Sequence, residues 1–241
     1  MKYTDVVVFT MVSIALLNGC STLVPIFEVK KSTSEVAIEP LTPMQIKVKA
    51  LQVLPNLYKA QASKNKSNTQ ALSQFEAALL LKQQGQFSEA RDKFVALSEQ
   101  YPDLSGIWLQ LALLIKQQNI SDPEQKHKDM TSYLYNAISA NPLNYLAHNE
   151  LALVLRQQGQ FQQALSHYEL ALKSWPAFAQ GYLNRGILYD LYMGKKSLAL
   201  ADYELYQALS NDSSRQLKGW IIDLQRQIKS TPQVTQSGAM L

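Results

Sequence analysis

The sequence predicts an all-α protein: a solenoid of about four helix pairs with a C-terminal capping helix, preceded by a flexible tether. A polar heptad recurs, as LKQQGQF at 81–87, as LRQQGQF at 155–161, and in a weaker form as IKQQN at 115–119. Small and large residues recur in phase with these copies, and an amphipathic segment follows the last of them. With 46% hydrophobic residues among 241, the chain can form a packed core. Repetition at such a period indicates stacked supersecondary units.

The interval between copies is about 34 residues, a period typical of solenoids built from helix pairs. Leu81, Ile115, Leu155 and Tyr189 occupy the same place in successive units. The step from Ile115 to Leu155 is longer than the other two steps, so the second unit carries a six-residue insertion. The predicted repeats, which together make up a domain over about 71–211, are 71–104, 105–144, 145–178 and 179–212.

Each residue type that recurs has a packing reason. Small residues allow the two helices of a repeat to cross closely, large residues fill the next layer, and a proline ends the second helix because its ring cannot continue the backbone ladder. Two positions depart from the pattern: Met130 replaces a small residue, and Asn211 replaces the last proline. The small residues are Ala78, Ala112, Ala152 and Gly186 in first helices and Ala90, Ala164 and Ala199 in second helices; the large ones are Phe94, Leu134, Tyr168 and Tyr203; the prolines are Pro102, Pro142 and Pro176.

These positions resemble the tetratricopeptide repeat family. Trp108-x-x-Leu111-Ala112-x-x-Ile115 is similar to the first-helix motif of that family, and His148-x-x-Leu151-Ala152-x-x-Leu155 repeats it. The resemblance implies a right-handed solenoid in which the first helix of each repeat lines a concave groove. The alternative is an ordinary antiparallel helical bundle.

Two segments outside the plain repeats are also predicted to be helical. Asp122-Pro123-Glu124 supplies an N-cap, a proline at the first helical position and an acid in the first turn, so the insertion should lengthen the second helix to about 123–140. Residues 213–229 carry Leu217, Trp220, Ile221, Leu224 and Ile228 on one face, as expected of a capping helix. Residues 230–241 are expected to be a disordered tail.

The N-terminus has the features of an export signal. Lys2 is followed by an apolar run from Val6 to Leu17, which is shorter than the ~20 residues that span a bilayer. Leu17-Asn18-Gly19-Cys20 then resembles a bacterial lipobox. The resemblance implies a lipoprotein signal peptide over 1–19, diacylglycerol on the Cys20 thiol and palmitate or a similar acyl chain on its amine, and Ser21 implies the outer membrane. An uncleaved anchor or a soluble export signal are the alternatives.

Between this signal and the repeats, the chain is expected to form two segments. Residues 20–42 lack sustained periodicity and are predicted to be a flexible tether. Residues 43–70 are predicted to be an N-terminal helical segment, broken near Pro55 and ending in a polar hinge over 63–69.

No catalytic, metal or cofactor motif is apparent. His127, His148 and His167 have no Cys or carboxylate partner at metal-ligand spacing, and His148 takes a core position of a first helix. Ser63-x-x-Lys66 lies in the hinge, without a supporting scaffold. The net charge of +4 comes from scattered cations, which indicates a solvated surface rather than a nucleic-acid face. We therefore expect a protein that is not an enzyme, with no cofactor, no metal, no nucleic acid and no evident small-molecule substrate.

The concave groove is the candidate binding surface. Its predicted floor is apolar, and Lys82, Lys116 and Arg156 form a stepped row of cations, which suits an extended or helical segment bearing acidic residues. Leucines at 79, 113 and 153 replace the polar groups of the carboxylate clamp found in chaperone-binding relatives. Alternatively these leucines pack against neighbouring helices or under residues 43–60. The predicted groove residues are Phe75, Leu79, Lys82, Gln83, Leu109, Leu113, Lys116, Gln117, Asn149, Leu153, Arg156, Gln157, Ile187 and Asp190.

These expectations combine into one functional hypothesis. The protein is expected to be an outer-membrane lipoprotein, held by its N-terminal acyl chains and facing the periplasm, whose repeats bind an envelope protein or peptide and support assembly of an envelope complex. A pilotin-like lipoprotein and a TonB/ExbB-associated accessory lipoprotein are alternatives within this class. An enzyme, or a cytoplasmic co-chaperone that keeps its N-terminal segment with Cys20 unmodified, are alternatives outside it.

Overall fold

A computed structural model describes residues 40–64, 68–118 and 121–230, with the side chains of 62–64 excepted. The predicted signal peptide 1–19, Cys20, the tether up to residue 39 and the tail from residue 231 lie outside the described residues. None of the described helices has a stretch long and apolar enough to cross a bilayer. The elements are α1 Pro43–Gln52, α2 Leu57–Lys64, α3 Thr69–Gln83, α4 Phe87–Gln100, α5 Ser105–Gln117, α6 Pro123–Ala140, α7 Tyr145–Gln157, α8 Phe161–Ser174, α9 Ala179–Leu191, α10 Lys196–Ser210 and α11 Arg215–Ser230.

The N-terminal segment forms two short helices, and the break lies where the sequence predicts it. α1 begins with a capping box in which Thr42 and Gln45 satisfy each other's backbone N–H groups. It ends at Gln52, and α2 begins two residues after Pro55. Pro55 cannot continue the helix, because it has no N–H and disfavours helical geometry in the residue before it.

Residues 69–210 form four helix pairs, α3–α4, α5–α6, α7–α8 and α9–α10. Ala78, Ala112 and Ala152 are fully buried where the helices of a pair meet. At Gly186 an added Cβ would lie 2.8 Å from the Tyr203 ring, which is closer than real Cβ contacts. The small residues therefore set the spacing within each pair, as predicted.

The large side chains of the second helices form the centre of the core. Phe94, Leu134 and Tyr168 are fully buried, and Tyr203 nearly so. Met130 stands where the other second helices have alanine, and it is also buried. The thioether side chain adapts readily to irregular space, so the second pair accommodates it within the core.

The polar heptads are the turns within repeats. Gly85 follows α3 with φ +78°, and Gly159 follows α7 with φ +76°. Both turns need the left-handed conformation, which glycine adopts without steric cost. The N–H of the next residue, Gln86 or Gln160, then bonds the carbonyl of Leu81 or Leu155 at 3.0 and 2.8 Å. The repeated heptad is therefore the C-terminal cap of a first helix, present in two copies.

The second helix of the second repeat is lengthened at its N-terminus, as predicted. α6 runs from Pro123 to Ala140, longer than the second helices of the other repeats. The Asp122 carboxylate accepts hydrogen bonds from the backbone N–H groups of Glu124 and Gln125 at 2.9 and 3.3 Å. Those bonds satisfy two amides that a helix start otherwise leaves without partners.

Buried polar side chains form hydrogen bonds near the turns between repeats. The Ser105 hydroxyl donates to the Ala137 carbonyl at 2.6 Å, and the Asn144 amide donates to the Ser105 oxygen at 2.7 Å. One repeat further on, the Ser174 hydroxyl donates to the Leu143 carbonyl. These bonds satisfy backbone and side-chain groups at the inter-repeat turns, where the helical ladder is interrupted.

α11 covers the last repeat, at the place where the sequence predicts a capping helix. Leu217, Ile221 and Leu224 are buried in a cluster with Tyr189 and Tyr203. The Trp220 ring lies 5.6 Å from the Tyr203 ring. The apolar edge of α9–α10 is thereby removed from water, as a solenoid end requires.

Candidate peptide-binding groove

Four aliphatic side chains form a row along the first helices of the repeats. Leu79, Leu113, Leu153 and Ile187 lie at equivalent positions of the four repeats, one on each first helix. Each is half-buried, and each packs by one side against the core clusters of its own region. The other side remains accessible, so the row, called here the aliphatic row, can contact a partner.

Two of the predicted rim cations bridge neighbouring repeats. The Lys82 ammonium donates to Gln110 Oε1 at 2.8 Å, and the Lys116 ammonium pairs with Glu150 Oε2 at 2.8 Å. Burial lowers the pKa of Lys82. Because Gln110 is neutral, Lys82 keeps its net positive charge, whereas the charge of Lys116 is offset by Glu150.

Arg156, the third predicted rim cation, packs among tyrosines. Its guanidinium lies 5.8 Å from the centre of the Tyr192 ring, a cation–π contact. Its Nη1 is buried and has no hydrogen-bond partner among the described residues, and the same holds for the fully buried hydroxyl of Tyr168. Burial raises the pKa of Tyr168, so the phenol is neutral. This Nη1 donor is therefore out of reach of a partner, and Arg156 can attract an acidic partner only through the charge of its guanidinium.

The remaining polar groove residues are placed as follows. Gln83, Gln117 and Gln157 are exposed, and Gln157 Oε1 lies 3.1 Å from His127 Nε2. Asp190 accepts a hydrogen bond from the Tyr203 hydroxyl at 3.3 Å. At the first repeat, the half-buried Phe75 ring packs edge-to-face on Phe94, with 5.4 Å between the ring centres.

Two predicted groove residues do not line the groove. Leu109 and Asn149 are 4% and 3% exposed, so a partner could not reach them. Leu109 belongs to the core cluster, and Asn149 Oδ1 accepts a hydrogen bond from Asn184 Nδ2 at 2.8 Å. Both residues face the adjacent repeat, whose helix covers them. The repeat pattern alone does not show whether a side chain lines the open groove or lies under the next helix.

Helices α1 and α2 pack at the ends of the repeat helices, in a core cluster that contains no member of the aliphatic row. Met44, Leu51 and Tyr58 pack in a cluster with Trp175 and Tyr182, which mark the end of one repeat and the start of the next. The other members lie at the ends of α8 and α10 and the starts of α7 and α9: Tyr145, Ala171, Leu172, Phe178, Leu205, Tyr206 and Leu209. A cavity of about 520 Å³ adjoins Tyr58 and is lined by Leu72, Phe75 and Ile107 among others.

A histidine pair that sequence reasoning missed lies inside the third repeat. His148 Nδ1 and His167 Nδ1 are 2.9 Å apart, and His148 Nε2 lies 3.0 Å from the Pro142 carbonyl oxygen. Since a carbonyl only accepts, His148 carries its proton on Nε2, and His167 Nδ1 must be the donor of the pair. Burial lowers both pKa values, and with His148 nearby the pKa of His167 falls to about 4.

A buried ion pair lies within the fourth repeat. Arg185 Nε and Nη2 donate to Asp202 Oδ2 and Oδ1, both at 2.8 Å. The Asp202 side chain is 5% exposed and that of Arg185 is 19% exposed. Burial opposes the charge of Arg185, but its hydrogen bonds to Asp202 raise the pKa of the guanidinium above its usual value. The sequence signal was present: Arg185 stands where Leu111 and Leu151 stand in earlier repeats.

Chemistry beyond binding has little support in this part of the chain. Among the described residues, no three His, Cys, Asp or Glu side chains come together as metal ligands. The two polar clusters found, His148–His167 and Arg185–Asp202, lie within helix pairs rather than in an open cleft.

Comparison with known proteins identifies the repeats. A tetratricopeptide repeat family model matches residues 132–179 and 149–214. No curated protein sequence matches the chain significantly. The solved structure of pilF from Pseudomonas aeruginosa is 17% identical with TM-score 0.55, covering 66% of this chain and 69% of that one. A thermophilic tetratricopeptide repeat protein of Thermus thermophilus, TTC0263, is 19% identical with TM-score 0.52, covering 66% and 84%. A crystal structure of MamA protein is 16% identical with TM-score 0.51, covering 66% and 88%.

These likenesses concern the fold, since the three identities are only 16%, 17% and 19%. They agree with the helix pairs over residues 69–210, whose small and large residues occupy equivalent places in each pair. The chain therefore has the tetratricopeptide repeat fold from α3 to α10, and the family model matches it over residues 132–214.

Proposed function

We propose that this protein is an outer-membrane lipoprotein whose periplasmic repeats bind a segment of an envelope protein in the concave groove and so support assembly of an envelope complex. The observation that carries the groove proposal is the aliphatic row. It places one accessible aliphatic side chain per repeat at regular intervals, which is the surface that an amphipathic helix or an extended segment with periodic apolar residues would cover.

The charges beside the row favour an acidic segment. Lys82 bonds only a neutral amide, and the guanidinium of Arg156 lies over the Tyr192 ring and forms no ion pair among the described residues. Lys116, by contrast, already pairs with Glu150. We therefore expect the first and third of these cations to contribute more to partner affinity than the second.

A direct test is selection of peptides from a random phage library against the full chain. Peptides that bind the groove should lose at least tenfold in affinity with Leu113→Ala combined with Leu153→Ala, since each removes apolar contact area worth ~1–2 kcal/mol. Leu170→Ala is the matched control, because Leu170 is an exposed leucine on the second helix α8. Circular dichroism would check that all three proteins remain folded.

The charge prediction needs a second comparison with the same peptides. Lys82→Gln should lower the affinity for acidic peptides and reduce the salt dependence of their binding. Lys116→Gln should have a smaller effect on both. Peptides that bind equally well to the Leu113/Leu153 variant would refute the groove proposal, whatever happens to the charge variants.

The membrane anchor is tested separately. The proposal follows from the apolar run of Val6–Leu17 and from Leu17-Asn18-Gly19-Cys20. Radiolabelled palmitate should label the protein and be lost with Cys20→Ser, and the variant should leave the outer-membrane fraction. Continued labelling, or unchanged recovery in that fraction, would contradict the lipoprotein proposal without affecting the groove.

A further inference from the structure

Helix α1 is apolar on two opposite faces. Met44, Val48 and Leu51 face the body of the protein, where Val48 is buried and the other two pack in the cluster with Trp175. At about 100° per residue, Ile46 and the C-cap residue Val53 lie on the opposite side of the helix. They are 56% and 81% exposed. An amphipathic helix that only packs on its own domain would carry polar residues there.

Further exposed aliphatic residues lie in the same short segment. Leu54 and Leu57, in and just after the turn between α1 and α2, are 45% and 37% exposed, and Leu41 just before α1 is 42% exposed. Single exposed apolar residues are normal on protein surfaces, but a concentration of five in one short segment indicates an interaction surface. These five residues are called here the outer face: Leu41, Ile46, Val53, Leu54 and Leu57.

The charged residues of the segment that carries the outer face are all basic, although Asp202 on α10 attracts Lys47, and the Lys59 ammonium lies 6.0 Å from the centre of the Trp175 ring. Lys47, Lys49 and Lys59 are exposed, and the sequence from Pro40 to Phe75 contains no Asp or Glu. Lys49 lies between Ile46 and Val53 on the solvent side of α1. The segment therefore combines accessible aliphatic groups with lysines that no acid in the same segment neutralises.

We propose that the outer face of α1–α2 docks on an anionic phospholipid surface. Shallow burial of aliphatic side chains together with attraction of lysines to anionic headgroups is how interfacial helices bind membranes. A protein partner is less well matched, because protein interfaces are enriched in aromatic residues and Arg and depleted in Lys. Residues 40–57 contain neither an aromatic residue nor an Arg.

The inference rests on the proposed anchor, which would hold the domain near a bilayer. The chain between Cys20 and Pro40 is about 20 residues long and spans at most about 70 Å. Docking through α1–α2 would then fix which edge of the solenoid faces the lipid and leave the aliphatic row free for a partner.

A comparable patch elsewhere on the molecule provides the control. Leu191 is 68% exposed, and Lys195 and Lys196 follow it. Leu191 ends α9, whereas α1 packs near the start of that helix, so about 20 Å of helix separates the two patches. Asp190 lies next to Leu191. Val53 and Leu191 are thus both highly exposed aliphatic residues near lysines, but Leu191 lies beside an acid and outside the five-residue outer face.

The experiment uses the full, membrane-purified chain with Val53→Cys or Leu191→Cys, each labelled with a polarity-sensitive fluorophore. The proteins are reconstituted into vesicles of phosphatidylcholine, with or without phosphatidylglycerol. Lipids carrying a spin label quench a dye that enters the bilayer, and iodide quenches a dye that stays in water. The dye at position 53 should be quenched by spin-labelled lipid in the anionic vesicles and protected from iodide, whereas the dye at position 191 should behave as in solution.

Two variants make the result specific. Ile46→Ser should reduce the lipid quenching of the dye at position 53, and Lys49→Gln should lower the ratio of docked to undocked protein by about fivefold in anionic vesicles. Both side chains are on the solvent side of α1, so neither change should alter the circular dichroism spectrum.

Two other quenching results would overturn the proposal. Equal quenching at positions 53 and 191 would mean that no particular face docks. A dye at position 53 that is protected from iodide but not quenched by lipid would mean that a second copy of the chain covers the outer face. Failure of the anchor is seen separately, since the protein would not float with the vesicles and mass spectrometry would find Cys20 labelled by the dye. Anionic vesicles added to that unanchored protein would still report docking at position 53.

Discussion

Replacing Arg185 with leucine should destabilise the fourth repeat by an amount that depends on pH. Leucine is the residue that Leu111 and Leu151 supply at this place in the second and third repeats, so its shape is compatible with the fold. The change removes both hydrogen bonds to Asp202 and leaves its carboxyl group, 5% exposed, without its cation. Loss of one partner of a buried ion pair typically costs about 3–5 kcal/mol.

Protonation of Asp202 limits the loss of folding stability that Arg185→Leu can cause. Burial raises the pKa of Asp202, and in the native protein Arg185 works against that rise. Without Arg185 the carboxyl group can escape the penalty by taking a proton. Relative to an unfolded pKa of ~3.9, protonation costs about 1.36 kcal/mol per pH unit, hence at most ~4 kcal/mol at pH 7 and ~1.5 kcal/mol at pH 5.

The sign follows from proton binding. In Arg185→Leu the folded Asp202 has a pKa above its unfolded value, so the folded state binds more protons between those two values. Stability of the variant is therefore gained as pH falls toward ~4 and lost as pH rises through the folded pKa. The difference from the native protein should shrink from about 3–4 kcal/mol at pH 7 to ~1.5 kcal/mol at pH 5.

Urea unfolding at both pH values measures this difference. Trp220 is the local reporter, because it packs on Tyr203 beside Asp202, and circular dichroism follows the helices as a whole. The double variant Arg185→Leu, Asp202→Ala has no charge left in the pair, so its difference from the native protein should change less between pH 5 and pH 7 than that of Arg185→Leu. A penalty for Arg185→Leu that does not change with pH, or that the second substitution does not relieve, would refute the reasoning.

Three further predictions follow from buried contacts. The histidine pair should make the native protein lose stability as pH falls from ~6.5 toward 4, because the unfolded state then binds more protons than the folded one. If the urea midpoint is measured against pH, His167→Gln should flatten the profile over that range. Gly186→Ala should cost about 1–3 kcal/mol in urea unfolding, since its Cβ would overlap the Tyr203 ring. Gly219→Ala in α11 meets no atom within 4 Å, so it should instead stabilise by ~0.5–1 kcal/mol, and equal effects of the two glycine changes would contradict this packing argument.

The architecture was accessible from the sequence because it depends on periodic, local features. Gly85 and Gly159 fix the same turn, Asp122 and Pro123 fix the start of α6, and Pro55 fixes the break before α2. Each acts through its near neighbours in the chain, and each recurs or belongs to a known helix signal. A fold assembled from such units can be predicted once one unit is recognised.

The site was less accessible because it depends on contacts between repeats. Lys82 and Lys116 stand at equivalent positions, yet one bonds Gln110 and the other pairs with Glu150, so they differ in net charge toward a partner. Whether Asn149 lies in the groove or under the next helix is decided by Asn184, in the following repeat. The histidine pair likewise joins two helices, with neither residue informative alone.

The same contrast applies to the two surfaces proposed for binding. The aliphatic row is periodic because each of its residues belongs to one repeat, and it can therefore recognise a partner that is itself periodic. The outer face of α1–α2 lies outside the repeats, and nothing in their periodicity requires Ile46 or Val53 to be apolar. Aliphatic side chains that neither the core nor the repeat pattern requires need another reason to face water, and contact with a lipid surface supplies one. The two surfaces can thus act at the same time, one holding the solenoid at a membrane and the other holding a partner.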